Sequence, residues 1–145
     1  MSDDSGGTLV VDASVAAKWY LKEEGHERAA AIMEAGLRRE RKLLAPVLLV
    51  AELGNVLWQR NRRGDLIRDE VLEVWAAFVA APVDLFDIAP LMSLALEISL
   101  DTGCAVYDAL YVTLAEAEDA KLVTADRKLV RTLEATPFAS SVTEL

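Results

Sequence analysis

At 145 residues and 15.8 kDa the chain is one domain's worth, long enough to bury a core without disulfide or metal staples. Apolar residues make up 53% and charged residues 27%, which excludes a disordered chain. The net charge of −9 excludes a general nucleic-acid binder, whose surface must be basic, but not an acidic site filled by cations.

Residues 1–7, rich in Ser, Asp and Gly, predict a flexible start unlike a secretory leader, followed by a single domain over 8–145. Thr8-Leu-Val-Val11 is β-branched and apolar and predicts a buried strand. Asp12 closes it, and Ser14 is positioned to cap a helix over 15–21 that Gly25 ends. A second helix is predicted over 26–41, with Arg38, Arg39, Arg41 and Lys42 near its C-terminus, where the helix dipole favours cations. Residues 43–45 predict a strand closed by Pro46, which suits the opening of a long helix over 47–63 stopped by Gly64. A helix over 68–81 ends at Pro82, and 83–88 alternates apolar and polar like a third strand. Helices follow over 91–101 and 105–119, the second the most apolar of the chain. Lys121-Leu-Val-Thr124 is a fourth strand, 126–134 a last helix and 138–142 an edge strand.

Strands alternating with helices predict an α/β fold with a mainly parallel sheet. Trp19, Trp58 and Trp75 fall at apolar helical spacing and predict core positions, with Trp58 or Trp75 lining a partner groove as the other reading; Cys104 reads as a small core residue and His26 as exposed. The longest apolar run, 74–83, is far short of the roughly 20 residues that span a bilayer, so no membrane partner is expected. A lone cysteine fits a reducing, cytoplasmic setting, and a lone histidine argues against a hydrolase triad or a His-rich zinc site.

Four carboxylates stand at structural corners. Asp12 ends the first strand, where ligands gather in open parallel sheets, or is simply a turn or cap residue. Glu52 is the only charge in the first two turns of its helix, or else belongs to a solvated stripe with Asn55, Gln59 and Arg62. Asp108 lies among apolar neighbours. A buried unpaired carboxylate there needs a cation, a donor or a proton, unless it merely faces the helix dipole. Asp126 follows the fourth strand, with Thr124 positioned to cap the next helix. Strand ends and the starts of the following helices share one edge of a parallel α/β layer, so the four acids meet there. Like charges in one place raise one another's pKa values or require a counter-cation, and oxygen ligands without His or Cys select Mg²⁺ or Mn²⁺. Two such ions about 3.5–4 Å apart clamp a phosphodiester and activate a water.

The segments Val10-Val-Asp-Ala-Ser-Val15, Pro46-Val-Leu-Leu-Val-Ala-Glu-Leu-Gly-Asn55, Tyr107-Asp-Ala-Leu-Tyr111 and Leu122-Val-Thr-Ala-Asp126 occur in an order and spacing that resembles the PIN-domain family. The resemblance is strongest to VapC-type toxin ribonucleases of bacterial toxin–antitoxin pairs. It implies a three-layer α/β/α sandwich, usually dimeric, and a metal-dependent endoribonuclease acting on RNA. It implies Asp12, Glu52, Asp108 and Asp126 as the catalytic, metal-holding acids, with Thr124 and Ser14 as supporting hydroxyls. It also implies a cognate antitoxin, VapB-like and on a separate short chain. A basic antitoxin segment is expected to fold across the helices at 47–63 and 68–81, which offer Arg and Trp side chains. RNA would then be gripped by local basic patches, for which the candidates are Arg38, Arg39, Arg41 and Lys42 and Arg60, Arg62 and Arg63; solubilising charge at helix ends is the other reading. Two alternatives stand beside the nuclease. One is a Mg²⁺-binding phosphoacceptor signalling domain, which needs an acid pair where only Asp12 closes the first strand. The other is a catalytically silent PIN-like interaction module.

Overall fold

The computed structural model describes residues 7–145, so nearly all of the expected flexible start lies outside the described residues. The elements are β1 (Thr8–Val11), α1 (Ala13–Lys18), α2 (His26–Leu37), β2 (Lys42–Pro46), α3 (Leu48–Arg62), α4 (Arg68–Val79), β3 (Val83–Phe86), α5 (Met92–Thr102), α6 (Val106–Ala117), β4 (Lys121–Thr124), α7 (Arg127–Leu133) and β5 (Val142–Glu144). The strands form one sheet in the order β3-β2-β1-β4-β5, every pairing parallel. Val10 at the centre is in register with Leu44 of β2 and Leu122 of β4.

Leu9, Val10 and Val11 are buried in succession, as are Leu43, Leu44, Ala45 and Pro46. A strand with no exposed alternate residue must be covered on both faces, which is the three-layer arrangement. One cover is α6, buried all round from Ala109 to Ala115 and laid across β1, β2 and β4, with α5 packed on it. The other comes from α1 and α3, which pack on each other and reach β4 and β2. Leu49, Leu53 and Leu57 recur every fourth residue along α3 and are all buried, so a single stripe faces the core. Edge strand β3 exposes Asp84 and Leu85.

Several boundaries differ from expectation, each for a local reason. Helix α1 starts two residues before the predicted 15–21 because Asp12, not Ser14, is its cap. Helix α2 stops at Leu37, and the chain turns through Arg39 at φ 59° to enter β2. The turn is tight because Gly36 lies against β2; a Cβ there would stand 2.7 Å from Leu43 Cδ1. A 3₁₀ turn over Ala139–Ser141 delays β5 to Val142. Trp58 is not a core residue: it is 51% exposed. Trp19 and Trp75 pack partly buried against the core, and Cys104 is buried. His26 is half-buried rather than exposed; its Nδ1 donates to the Lys18 carbonyl at 2.8 Å and ties α2 to the end of α1. Among the described residues no single helix is long and apolar enough to cross a membrane.

Candidate active site

From β1 the chain moves outward to β2 and β3, then crosses back to β4 and β5 on the other side. The crevice beyond the carboxyl ends of β1 and β4 is therefore the topological switch point, where α/β sheets bind ligands. Asp12 follows β1 directly, and Asp126 stands two residues after β4.

Asp12 is 9% exposed, and both of its oxygens are engaged. Oδ1 accepts from Ser14 Oγ at 2.6 Å and from the Val15 N–H at 3.2 Å; Oδ2 accepts from Thr124 Oγ1 at 2.5 Å. The same hydroxyls reach the next loop: Ser14 Oγ accepts from the Ala125 N–H at 2.9 Å, and Thr124 Oγ1 from the Asp126 N–H at 3.0 Å. Ser14 and Thr124 thus fasten the start of α1 to the end of β4 and do not cap the helices, as the sequence had suggested. The caps are the aspartates, and Asp126 Oδ1 accepts from the Lys128 and Leu129 N–H groups at 3.0 and 3.2 Å. An acidic cap serves both the free N–H groups and the helix dipole.

Glu52 rises half-buried from α3, and its Oε1 accepts a 2.5 Å hydrogen bond from the Tyr111 hydroxyl of α6. It is therefore not one of a solvated stripe. Asp108 lies in the first turn of α6 and is half-buried, less enclosed than its apolar neighbours suggested, because burial of that helix begins at Ala109.

The acids share one electrostatic field. Burial pushes Asp12 above the ordinary carboxylate range, against the bonds from Ser14, Thr124 and Val15, and the charge of Asp126 adds to the rise. Burial raises Glu52 against the Tyr111 bond, with Asp12 and Asp108 adding to it. Burial also raises Asp108, helped by Asp126 and Asp12 and opposed by Lys128. Tyr111 is pushed far above an ordinary phenol by burial, then by its bond to Glu52 and the charges of Glu52, Asp12 and Asp108. Among the described residues no three acids, histidines or cysteines stand close enough to form a ready-made ion cage. Burial first, and then the neighbouring acids, disfavour the charges of Asp12, Glu52 and Asp108; a hard cation would relieve both, and an all-oxygen donor set suits one.

The basic candidates do not converge on this edge as one group. Arg38, Arg39 and Arg41 precede β2 and Lys42 begins it, in register with Thr8 at the start of β1. They occupy the amino edge of the sheet, the opposite end from Asp12. Arg60 is engaged with Glu23 at 2.5 Å, and Glu23 also holds Lys18 at 3.1 Å. Arg62 lies over the Trp58 ring at 5.1 Å, and Arg63 is exposed. Tyr111 was the participant sequence reasoning passed over; its signal was its place three residues after Asp108, on the same helix flank. Away from the acids, a groove of about 280 Å³ runs between α3 and α4, lined by Gly54, Trp58, Asn61, Arg68, Val71 and Leu72.

The model of the PIN domain family matches residues 9–134. Over 125 residues the chain is 39% identical to Ribonuclease VapC3 of Pyrobaculum aerophilum, covering 83% of this chain and 91% of that protein. Among solved structures, PAE2754 of Pyrobaculum aerophilum superposes with a TM-score of 0.69 at 24% identity, covering 96% of this chain and 84% of that one. A chain of VapBC2 from Rickettsia felis, crystallised with a DNA fragment from its promoter, gives a TM-score of 0.68 at 13% identity, covering 95% and 98%. At such identities the two structures establish the fold. The chain belongs to the PIN-domain family and groups with its VapC-type members. That membership leaves the phosphoacceptor alternative without support.

Proposed function

We propose that the protein is a Mg²⁺- or Mn²⁺-dependent endoribonuclease, the toxin of a type II toxin–antitoxin pair, acting on RNA in the cytoplasm. The observation that carries this reading is the crevice at the β1/β4 switch point, where Asp12 closes β1, Asp126 follows β4, and the Ser14 and Thr124 hydroxyls fix Asp12 between them. The 39% identity to a protein named as a ribonuclease supports it.

A bound Mg²⁺ or Mn²⁺ supplies the Lewis acidity that makes water nucleophilic near neutral pH and offsets the charge of the phosphate. Asp12, Asp108 and Asp126 would provide carboxylate oxygens to hold it, and Glu52 would complete the set or orient the water. Ser14 and Thr124 keep Asp12 in one orientation, as supporting hydrogen bonds do for ligands generally. In line, the P–O bond to water forms as the P–O3′ bond breaks; a carboxylate of the site takes the water's proton, and the 3′-oxygen leaves as a hydroxyl after taking a proton from solvent.

The partner in this reading is a VapB-like antitoxin of basic and apolar character. It suits a toxin of net charge −9 whose α3–α4 groove is lined by exposed Trp58 and Leu72. A homodimer is supported by α5, which exposes Met92, Leu96 and Leu100 along one stripe.

Cleavage of single-stranded RNA by the purified chain tests the activity. It should need Mg²⁺ or Mn²⁺, stop in EDTA and fall at least 100-fold in Asp12→Asn and Asp108→Asn. Cleavage that persists in EDTA, or at wild-type rate in both variants, refutes the reading. A folded protein that binds Mn²⁺ and cuts no RNA is the silent module instead.

A further inference from the structure

A tyrosine only 2% exposed calls for an acceptor for its hydroxyl hydrogen, since an orphaned donor in the core is costly. Most side-chain bonds of this kind end on a backbone carbonyl. Tyr111 ends instead on the carboxylate of Glu52, 59 residues away in the chain and on another helix, at 2.5 Å. No other described group donates to Glu52. The ring is fixed as well: every residue of α6 from Ala109 to Ala115 is buried, so the phenol has no freedom to follow a moving carboxylate. Asp108 stands one helical turn before it on the same flank, so α6 presents an acid of the crevice and the anchor of a second acid together.

We infer that Tyr111 is a positioning residue of the acidic site: its buried hydroxyl holds Glu52 Oε1 and leaves Oε2 as the oxygen offered to a divalent cation or to the attacking water. This rests on the nuclease reading, because it gives Glu52 a part in that site. A glutamate has three rotatable side-chain bonds, and ordering it costs entropy at each ion-binding event. A rigid phenol removes most of that cost before the ion arrives. The bond is charge-assisted, the stronger kind, and losing it is expected to weaken cation binding by about tenfold.

The test compares wild type, Tyr111→Phe, Glu52→Gln and the double variant, all checked for fold by circular dichroism. Mn²⁺ affinity is read from the free-ion EPR signal, and kcat and KM from RNA cleavage at saturating Mn²⁺. Tyr111→Phe should bind Mn²⁺ about tenfold more weakly and show a lower kcat with KM for RNA unchanged. The double variant should be no worse than Glu52→Gln, since Tyr111 acts only through Glu52. Wild-type Mn²⁺ affinity in a folded Tyr111→Phe, or losses that multiply in the double variant, overturn the inference while the nuclease stands. A wild-type protein that neither binds Mn²⁺ nor cleaves RNA overturns both. If Tyr111→Phe does not fold, Tyr111→Met removes the same hydroxyl with a flexible apolar side chain and leaves Glu52 intact; weakened Mn²⁺ binding in the folded variant supports the inference, and undiminished binding overturns it.

Discussion

Replacing Thr124 by valine keeps the side-chain shape and removes one hydroxyl, fully buried at 0% exposure. That hydroxyl donates to Asp12 Oδ2 at 2.5 Å and accepts from the Asp126 N–H at 3.0 Å. A hydrogen bond to a charged group contributes about 1.5–3 kcal/mol, and the neutral one about 0.5–1.5 kcal/mol. The added methyl returns roughly 0.8 kcal/mol by burial. With Asp12 ionised the net loss is therefore about 1.2–3.7 kcal/mol, which in a domain of this size lowers Tm by roughly 4–11 °C. The loss should depend on pH. Asp12 in the unfolded chain ionises near its ordinary value, 3.8, and in the fold only at higher pH. As pH rises through that window the unfolded state gives up its proton first, so stability falls until the folded carboxyl has ionised too. Removing a bond that favours the charged form raises the folded value further and widens the window. The deficit of Thr124→Val should thus be smaller at pH 4 than at pH 7.5, growing as the folded Asp12 carboxyl ionises, measured by thermal melts in EDTA. In an Asp12→Asn background the charge is absent and the substitution should cost only about 0.5–1.5 kcal/mol. Equal deficits at both pH values, or the same cost with and without the Asp12 charge, would refute the idea that Thr124 serves an ionised Asp12.

Asp12, Glu52 and Asp108 all have raised proton affinities, so metal-free protein should lose Tm as pH rises above about 4, and Mg²⁺ should restore it at neutral pH but not in acid. By the same argument metal-free Asp108→Asn should melt at or a few degrees above wild type; a drop of several kcal/mol would mark Asp108 as a structurally paired charge instead. Gly36→Ala should destabilise by about 1–2 kcal/mol in urea titrations, because overpacking against buried Leu43 outweighs the roughly 1 kcal/mol helix-propensity gain. A more stable variant would show that Leu43 can yield. Arg60→Ala should cost about 1 kcal/mol through its half-buried pair with Glu23 and leave KM for RNA unchanged; a raised KM would return Arg60 to the substrate surface.

Most of the fold could be read in the residues because its signals are local. Short apolar runs such as Thr8-Leu-Val-Val11, breakers such as Gly64 and Pro82, and the stripe of Leu49, Leu53 and Leu57 each act within a few residues of the chain. Parallel pairing then follows from strands separated by helices, and with it the common edge on which Asp12 and Asp126 stand. Cap identity is a finer matter: Asp12 and Ser14 are both good cap residues, two positions apart. The choice fell to Asp12 because Ser14 is drawn to Ala125, far along the chain.

What only the tertiary structure decided are the relations between distant residues. Residues 38–42 look like an RNA grip in the sequence, yet they sit at the amino edge of the sheet because β2 must begin there to run parallel to β1. Trp58 has apolar helical spacing, but it stands one residue past the core-facing stripe of Leu49, Leu53 and Leu57, and its ring is left at the surface with Arg62 over it. The bond between Tyr111 and Glu52 is the clearest case, since neither residue signals the other. Periodicity and caps act over a few residues. A buried donor takes whichever acceptor packing brings to it, and that is settled only when the helices and sheet close on one core.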